Sequence, residues 1–211
     1  MLGKFFNKKK ERARRLEHPR DLRVGDILEL KPRSILPEEL QGASLTVKSV
    51  CAYEYSDGLV TEFALIAESA KQYSMSFESG DDGDELCFSH KLSHQQVLQC
   101  FDEDSFGGLW SDEHVSFDSR QPEGALGDWI AKGYRQTVKE ATAYFYDKDK
   151  RGSAVSEYLD KDAQELRYHE CEGEPDQFSL NVEIWEDGET DVFALVSVPL
   201  NVIEEMWPNG D

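Results

Sequence analysis

The chain has 211 residues, 39% of them apolar, 31% charged and 11% aromatic, a composition that supplies a core and argues against wholesale disorder. Its 43 acidic against 23 basic residues leave a formal charge of −20, a field that repels phosphate backbones and removes nucleic acid from the expected partners. No run approaches the roughly 18 apolar residues of a membrane span and no secretory apolar stretch is present, so a cytoplasmic protein is expected.

The charge is unevenly placed. Residues 1–20 hold eight Lys/Arg against two Glu, a balance of +6, and the remainder carries −26. In a helix, Leu2, Phe5 and Phe6 fall on one side and Lys8, Lys9 and Lys10 fill the rest, a short basic amphipathic segment suited to the surface of an anionic inner membrane. The plainer reading is a frayed, solvated terminus. His18-Pro19 ends this arm, because the residue before a proline is pushed out of the helical region.

Short β-like runs follow. Arg23–Leu30 alternates around Val24, Ile27 and Leu30, with Gly25-Asp26 as a bend or bulge. Leu45–Tyr55 is a strand, and Ser56-Asp57-Gly58 has the chemistry of a hairpin turn. Thr61–Glu68, Gln72–Glu78 and Glu85–Phe88 are the next strands, with the acidic, Gly-containing Ser79–Asp84 as a turn. Ser93 caps a helix running to about Phe101. Residues 104–128, rich in Gly, Ser and Asp, read as a connection. Beyond it come strands at Tyr134–Tyr146, Glu165–Cys171, Phe178–Trp185 and Asp191–Val198, with Glu186-Asp187-Gly188-Glu189 as a hairpin turn and Val202–Trp207 as one helical turn. The expected architecture is mainly β (a β-rich α+β chain): a basic arm (1–20), an antiparallel β lobe (21–103), a connecting segment (104–128) and a second antiparallel β lobe (129–211), small barrel or sandwich in style, with one or two short helices.

The basic start with Phe5-Phe6, the run Leu45-Thr-Val-Lys-Ser-Val-Cys-Ala-Tyr53, the Gly/Asp turn, the acidic Gly80-Asp-Asp-Gly-Asp-Glu85 and the closing Phe193-Ala-Leu-Val-Ser-Val-Pro-Leu200 resemble the YjfK-like family of uncharacterised bacterial proteins. The resemblance implies a domain of unknown function whose relatives neighbour membrane-stress proteins similar to phage shock protein A. It brings no catalytic residues.

Candidate chemistry is sparse. Cys87, His90, His94 and Cys100 supply the two thiolates and two imidazoles of a tetrahedral zinc site, but the spacing crosses a strand, a loop and a helix start, and buried free thiols are the commoner role for scattered cysteines. Asp147, Asp149 and Gly152 begin like a calcium loop that then fails, because Arg151 stands at a ligand position and Tyr158 where a bidentate Glu is needed. No Gly-x-Ser-x-Gly elbow, Walker lysine loop or Gly-x-Gly-x-x-Gly is present. No cofactor and no catalytic residue is assigned. The expected function is a non-enzymatic interaction or adaptor protein, associated with a membrane-stress system, whose acidic body meets a protein partner with a basic surface. The alternative is a β-fold enzyme or a ligand- or metal-binding module with its pocket between the lobes.

Overall fold

The computed structural model describes residues 14–80, 83–152 and 162–209. Among these, eleven strands form one antiparallel sheet: β1 (Ile27–Leu30), β2 (Ser44–Tyr55), β3 (Gly58–Ala67), β4 (Gln72–Gly80), β5 (Gly83–Leu92), β6 (Ser116–Asp118), β7 (Gly133–Tyr146), β8 (Gln164–Glu174), β9 (Phe178–Trp185), β10 (Thr190–Pro199) and β11 (Ile203–Trp207). They lie in the order β11-β1-β2-β3-β4-β5-β10-β9-β8-β7-β6, and β2 pairs a second time, with β7. That pairing closes the strands from β2 round to β7 into an eight-stranded antiparallel barrel. The mainly β fold expected from the sequence is the one observed. Strands of both expected lobes enter the same ring, since β5 pairs with β10 as well as β2 with β7.

Closure depends on the length of β2. Its first residues, Ser44–Thr46, pair with β1, and further on Ala52–Glu54 pair with β7 along the same edge. A long strand can therefore change partner midway. β7 does likewise, taking β6 at Gly133–Arg135 and β2 at Tyr144–Tyr146. Between those stretches its register against β8 shifts twice, and Glu140 adopts a φ of 45°. Extra residues of this kind bend a strand and tighten its twist, as ring closure requires.

Local chemistry fixes the turns and caps. In the β9–β10 hairpin Gly188 has a φ of 86°, a left-handed conformation that glycine adopts without steric cost, and Asp187 accepts from the Glu189 N–H at 3.0 Å. Helix α1 (His94–Cys100) starts at Ser93, which accepts from the Gln96 N–H at 3.3 Å while its own N–H donates to Gln96 Oε1 at 2.8 Å. This is a reciprocal capping box. Residues 104–128 hold most of a second helix, α2 (Glu103–Gly107), together with β6 and two 3-10 turns. Val202–Trp207 does not form the expected helical turn. Only Leu200–Val202 is helical, and Ile203–Trp207 is β11, paired to β1. The open edge of β1 offers a ladder of backbone donors and acceptors, and a five-residue run, too short to hold a helix by itself, takes it.

Each barrel strand has two faces, and on β3, β4, β5, β9 and β10 the more apolar one points outward, whereas β7 and β8 turn Ala143, Phe145, Leu166 and Tyr168 inward. Phe63, Leu65, Met75, Phe88, Val196 and Leu180 belong to one core that also holds Leu22, Leu36, Leu40, Phe101, Leu109 and Trp129 from outside the ring. The wrapping segments thus bury the outer wall. Trp129, fully buried, stacks on Tyr73 with ring centroids 5.7 Å apart, and the Arg20 guanidinium covers Phe77 at 4.4 Å. Contact is close at Gly173 on β8, where an added Cβ would stand 2.6 Å from the Phe178 carbonyl oxygen and 2.8 Å from the Ala131 Cβ. Gly173→Ala is expected to cost about 1–3 kcal/mol in denaturant unfolding, because backbone on one side and the wrap on the other must both move.

Candidate functional site: the barrel lumen

The inner face of the ring combines polar side chains with a second apolar cluster around Tyr53, Ala143, Leu166 and Tyr168. Tyr53 on β2 and Glu183 on β9 have β7 and β8 between them in the sheet, yet the Tyr53 hydroxyl donates to Glu183 Oε2 at 3.4 Å. Only side chains on the concave side can meet in this way. The same face carries Tyr55 on β2, Glu62 on β3, Ser74, Ser76 and Glu78 on β4, Cys87 on β5, Tyr168 and Glu170 on β8, Asn181 on β9 and Ser197 on β10, as strand registers require. Tyr55 and Tyr168 meet edge to face at 5.1 Å. The Ser197 hydroxyl reaches Glu78 Oε2 at 3.4 Å, across β5.

One end of this lumen is a cavity of about 600 Å³, within the roughly 300–1,000 Å³ usual for small-molecule sites. Its mouth is formed by Ser56 and Asp57 in the β2–β3 turn, Thr137, Glu172 and Asp176, all exposed. Tyr55, Tyr168, Val138, Val60 and Leu195 supply apolar surface, and Glu78, Glu170, Ser76, Ser179, Asn181 and Ser197 the polar groups. Asn181 donates from Nδ2 to Glu183 Oε1 at 3.3 Å, while its buried Oδ1 has no hydrogen-bond partner among the described residues. Among the described residues, no Lys or Arg lines the cavity.

The electrostatics follow from this enclosure. Burial raises the Glu170 carboxyl above its ordinary value, and the charges of Glu78 and Asp57 push in the same direction. Below the cavity Glu183 is only 3% exposed; burial first, then Glu62 and Asp191, push its pKa up to about 8, although Tyr53 and Lys91 pull against them. Glu62 is raised by burial despite hydrogen bonds with Ser74 and Cys51. At the far end the Lys91 ammonium pairs with Asp191 at 2.7 Å, and Trp185 Nε1 donates to the same carboxylate at 3.3 Å.

The structure separates the residues first considered for zinc. Cys87 faces the lumen beside Glu78 and Ser197, whereas His90, three residues on, faces outward between Tyr73 and Trp129 at ring distances of 5.9 and 5.5 Å. His94 is exposed on the first turn of α1 and Cys100 is buried at its end. Among the described residues no group of three or more His, Cys, Asp or Glu is placed to hold a metal ion. All four cysteines are free and buried, as scattered thiols in a folding core lead one to expect. Asp149 is engaged by its neighbour: the Arg151 backbone N–H donates to Oδ1 at 3.0 Å and the guanidinium to both oxygens, and that contact holds the Asp149 carboxyl below its usual range. Leu2, Phe5, Phe6, Lys8, Lys9 and Lys10 lie outside the described residues. No helix among the described residues is long and apolar enough to cross a membrane.

Sequence reasoning did not pick out Tyr55, Glu78, Tyr168, Glu170 and Asn181. A signal was present in β9, where Ser179, Asn181 and Glu183 alternate with Leu180 and Val182, and in β4, where Ser74, Ser76 and Glu78 alternate with Tyr73, Met75 and Phe77. The polar side of an antiparallel strand usually faces solvent, so this alternation does not by itself mark a lumen.

Comparison with known proteins returned no matching family model, no matching curated protein and no matching solved structure.

Proposed function

We propose that this protein is a binding module that takes a small molecule into the lumen of its barrel. One observation carries the reading: a cavity of about 600 Å³ open at one end and lined by inward-facing residues of β2, β3, β4, β7, β8, β9 and β10. It supports the ligand-binding alternative raised by the sequence, with the pocket inside one barrel formed by both halves of the chain. Apolar walls with a few convergent polar groups are the usual makings of such a site. Part of the inner wall is apolar, with Tyr53, Ala143, Leu166, Phe145 and Trp185 packed together, but around the cavity it also holds hydroxyls, an amide and carboxylates, groups that a barrel interior filled for stability alone does not need.

The test is a thermal-shift screen of a small-molecule library on the wild-type chain and on Leu195→Trp, whose ring would occupy the cavity. A ligand at a hundred times its Kd adds about 2.7 kcal/mol of stability, or roughly 5–10 °C of melting temperature for a chain of this size. Compounds that stabilise the wild type are expected to lose at least tenfold in affinity for the variant. Hits that bind both proteins alike, or a screen without hits, would remove the proposal.

A further inference from the structure

Resting on that lumenal reading, we infer that the ligand is a compact organic cation, an amine with at least one protonated nitrogen, held by the carboxylates of Glu78 and Glu170 against the rings of Tyr55 and Tyr168. Three separate features point there. The first is sign: the cavity is lined by Asp57, Glu78, Glu170, Glu172 and Asp176, with no Lys or Arg in its lining among the described residues. An anionic ligand would enter against all five carboxylates, and a neutral one would leave their mutual repulsion unrelieved.

The second is an open acceptor. Asn181 has given its Nδ2 to Glu183 and presents a buried Oδ1 without a partner among the described residues. A buried acceptor left unsatisfied costs about 1–3 kcal/mol, and a ligand N–H supplies what is missing. The third is the wall. Tyr55 and Tyr168 lie edge to face at 5.1 Å beside Glu170, and a ring face next to a carboxylate attracts a cation twice, through the quadrupole and through the charge. Val60, Val138 and Leu195 give the hydrocarbon part of the ligand an apolar surface.

An organic cation fits better than a bare metal ion. A metal needs several oxygens within about 2.0–2.6 Å of one point, and no group of three or more acidic, His or Cys residues converges in that way among the described residues. An amine instead makes its contacts one hydrogen bond at a time along the wall. The field outside favours the same class: the chain carries −20, and a cleft lined by one sign of charge concentrates the opposite ion at its mouth.

Binding is then linked to protons. The groups that face Glu170 are Asp57 in the β2–β3 turn, Glu78 on β4, Tyr55 on β2, Val138 on β7, Tyr168 and Glu172 on its own strand and Asn181 on β9. None is cationic. Burial and the charges of Glu78 and Asp57 favour the neutral acid, whereas the cation requires the carboxylate, so affinity falls as pH falls and Glu170 takes up its proton.

The experiment is isothermal titration calorimetry on the full chain with three probes of matched length: 1,5-diaminopentane, pentane-1,5-diol and glutarate. The diamine is expected to bind, the diol and glutarate not, and the diamine to bind more weakly at pH 5 than at pH 8. Glu170→Gln and Glu78→Gln, each shown by melting to be folded, are expected to weaken it by about 10–100-fold, the worth of a hydrogen bond to a charged group. If the diol or glutarate binds as tightly as the diamine, or if neither substitution weakens the diamine, the inference falls. Loss of that same binding in Leu195→Trp would then show that the lumenal site survives it. If no probe binds, the inference also falls, and the lumenal reading is decided separately by the library screen.

Discussion

Asp26→Ala is expected to lower the unfolding free energy by about 3–5 kcal/mol, the combined cost of leaving two backbone donors and a half-buried guanidinium without their acceptor. Asp26 has no exposed surface and ties three stretches of chain together. Its Oδ2 accepts from the Arg23 N–H at 2.7 Å and pairs with the Arg14 guanidinium, and its Oδ1 accepts from the Asn209 N–H at 2.8 Å. Its own N–H donates to the Arg23 carbonyl at 3.0 Å and its carbonyl accepts from the Val47 N–H at 2.9 Å, so the side chain stands where the Arg23–Asp26 turn meets β1 and β2. The neighbouring Gly25 has a φ of 88°, and a Cβ there would lie 2.3 Å from the Asn209 amide. Alanine would strand two backbone donors and a half-buried guanidinium in one step. Asparagine can accept from only one side and should cost less, about 1–2 kcal/mol. Urea melts of the three proteins check the order; an alanine variant within 1 kcal/mol of wild type would mean that the joint is not held by this carboxylate.

The sequence marks the joint but not its partners. Gly25-Asp26 reads as a bend, and the turn is there. That Asn209, on the far side of the chain, closes on it depends on β11 pairing with β1, and β11 was expected as a helical turn. The main strands were legible because they alternate over whole elements: the run Phe178, Leu180, Val182, Ile184 defines β9 at its observed limits. Alternation, however, separates two faces without saying which is concave. On β9 the wrapping segments around Leu22, Leu40, Leu109 and Trp129 take the apolar face outside, and so Asn181 and Glu183, polar by pattern, are brought into the lumen. The seam is hidden for a similar reason. Nothing in Ala52–Glu54 or Tyr144–Tyr146 announces their pairing, which follows from the length of β2 and the bends in β7.

Glu183→Gln is expected to stabilise the protein in mild alkali and to change little in acid. In the unfolded chain this carboxyl titrates near 4.5, whereas in the barrel it is pushed up to about 8, by burial first and then by Glu62 and Asp191. Below pH 4.5 both states hold the proton and folding loses nothing. Between about 4.5 and 8 the unfolded chain gives up its proton while the folded chain keeps it, so this site lowers stability progressively as pH rises, and above 8 the loss is complete. The groups facing Glu183 are Tyr53 on β2, Glu62 on β3, Lys91 on β5, Asp191 on β10, Asn181 on its own strand and Tyr168 opposite it on β8; Lys91 is the one cation among these and already pairs with Asp191. Glutamine has the shape of the protonated acid and retains an acceptor for the Tyr53 hydroxyl. The gain at pH 9 should be about 2–4 kcal/mol, or roughly 4–16 °C in melting temperature, shrinking toward zero at pH 4. A gain of equal size at both pH values would point to packing rather than charge. A gain confined to alkali would show that the barrel maintains a carboxyl under electrostatic load directly beneath Asn181, and a bound cation in the cavity above would relieve part of the same load, so the stabilisation by an amine ligand should be smaller in Glu183→Gln than in the wild type at pH 9.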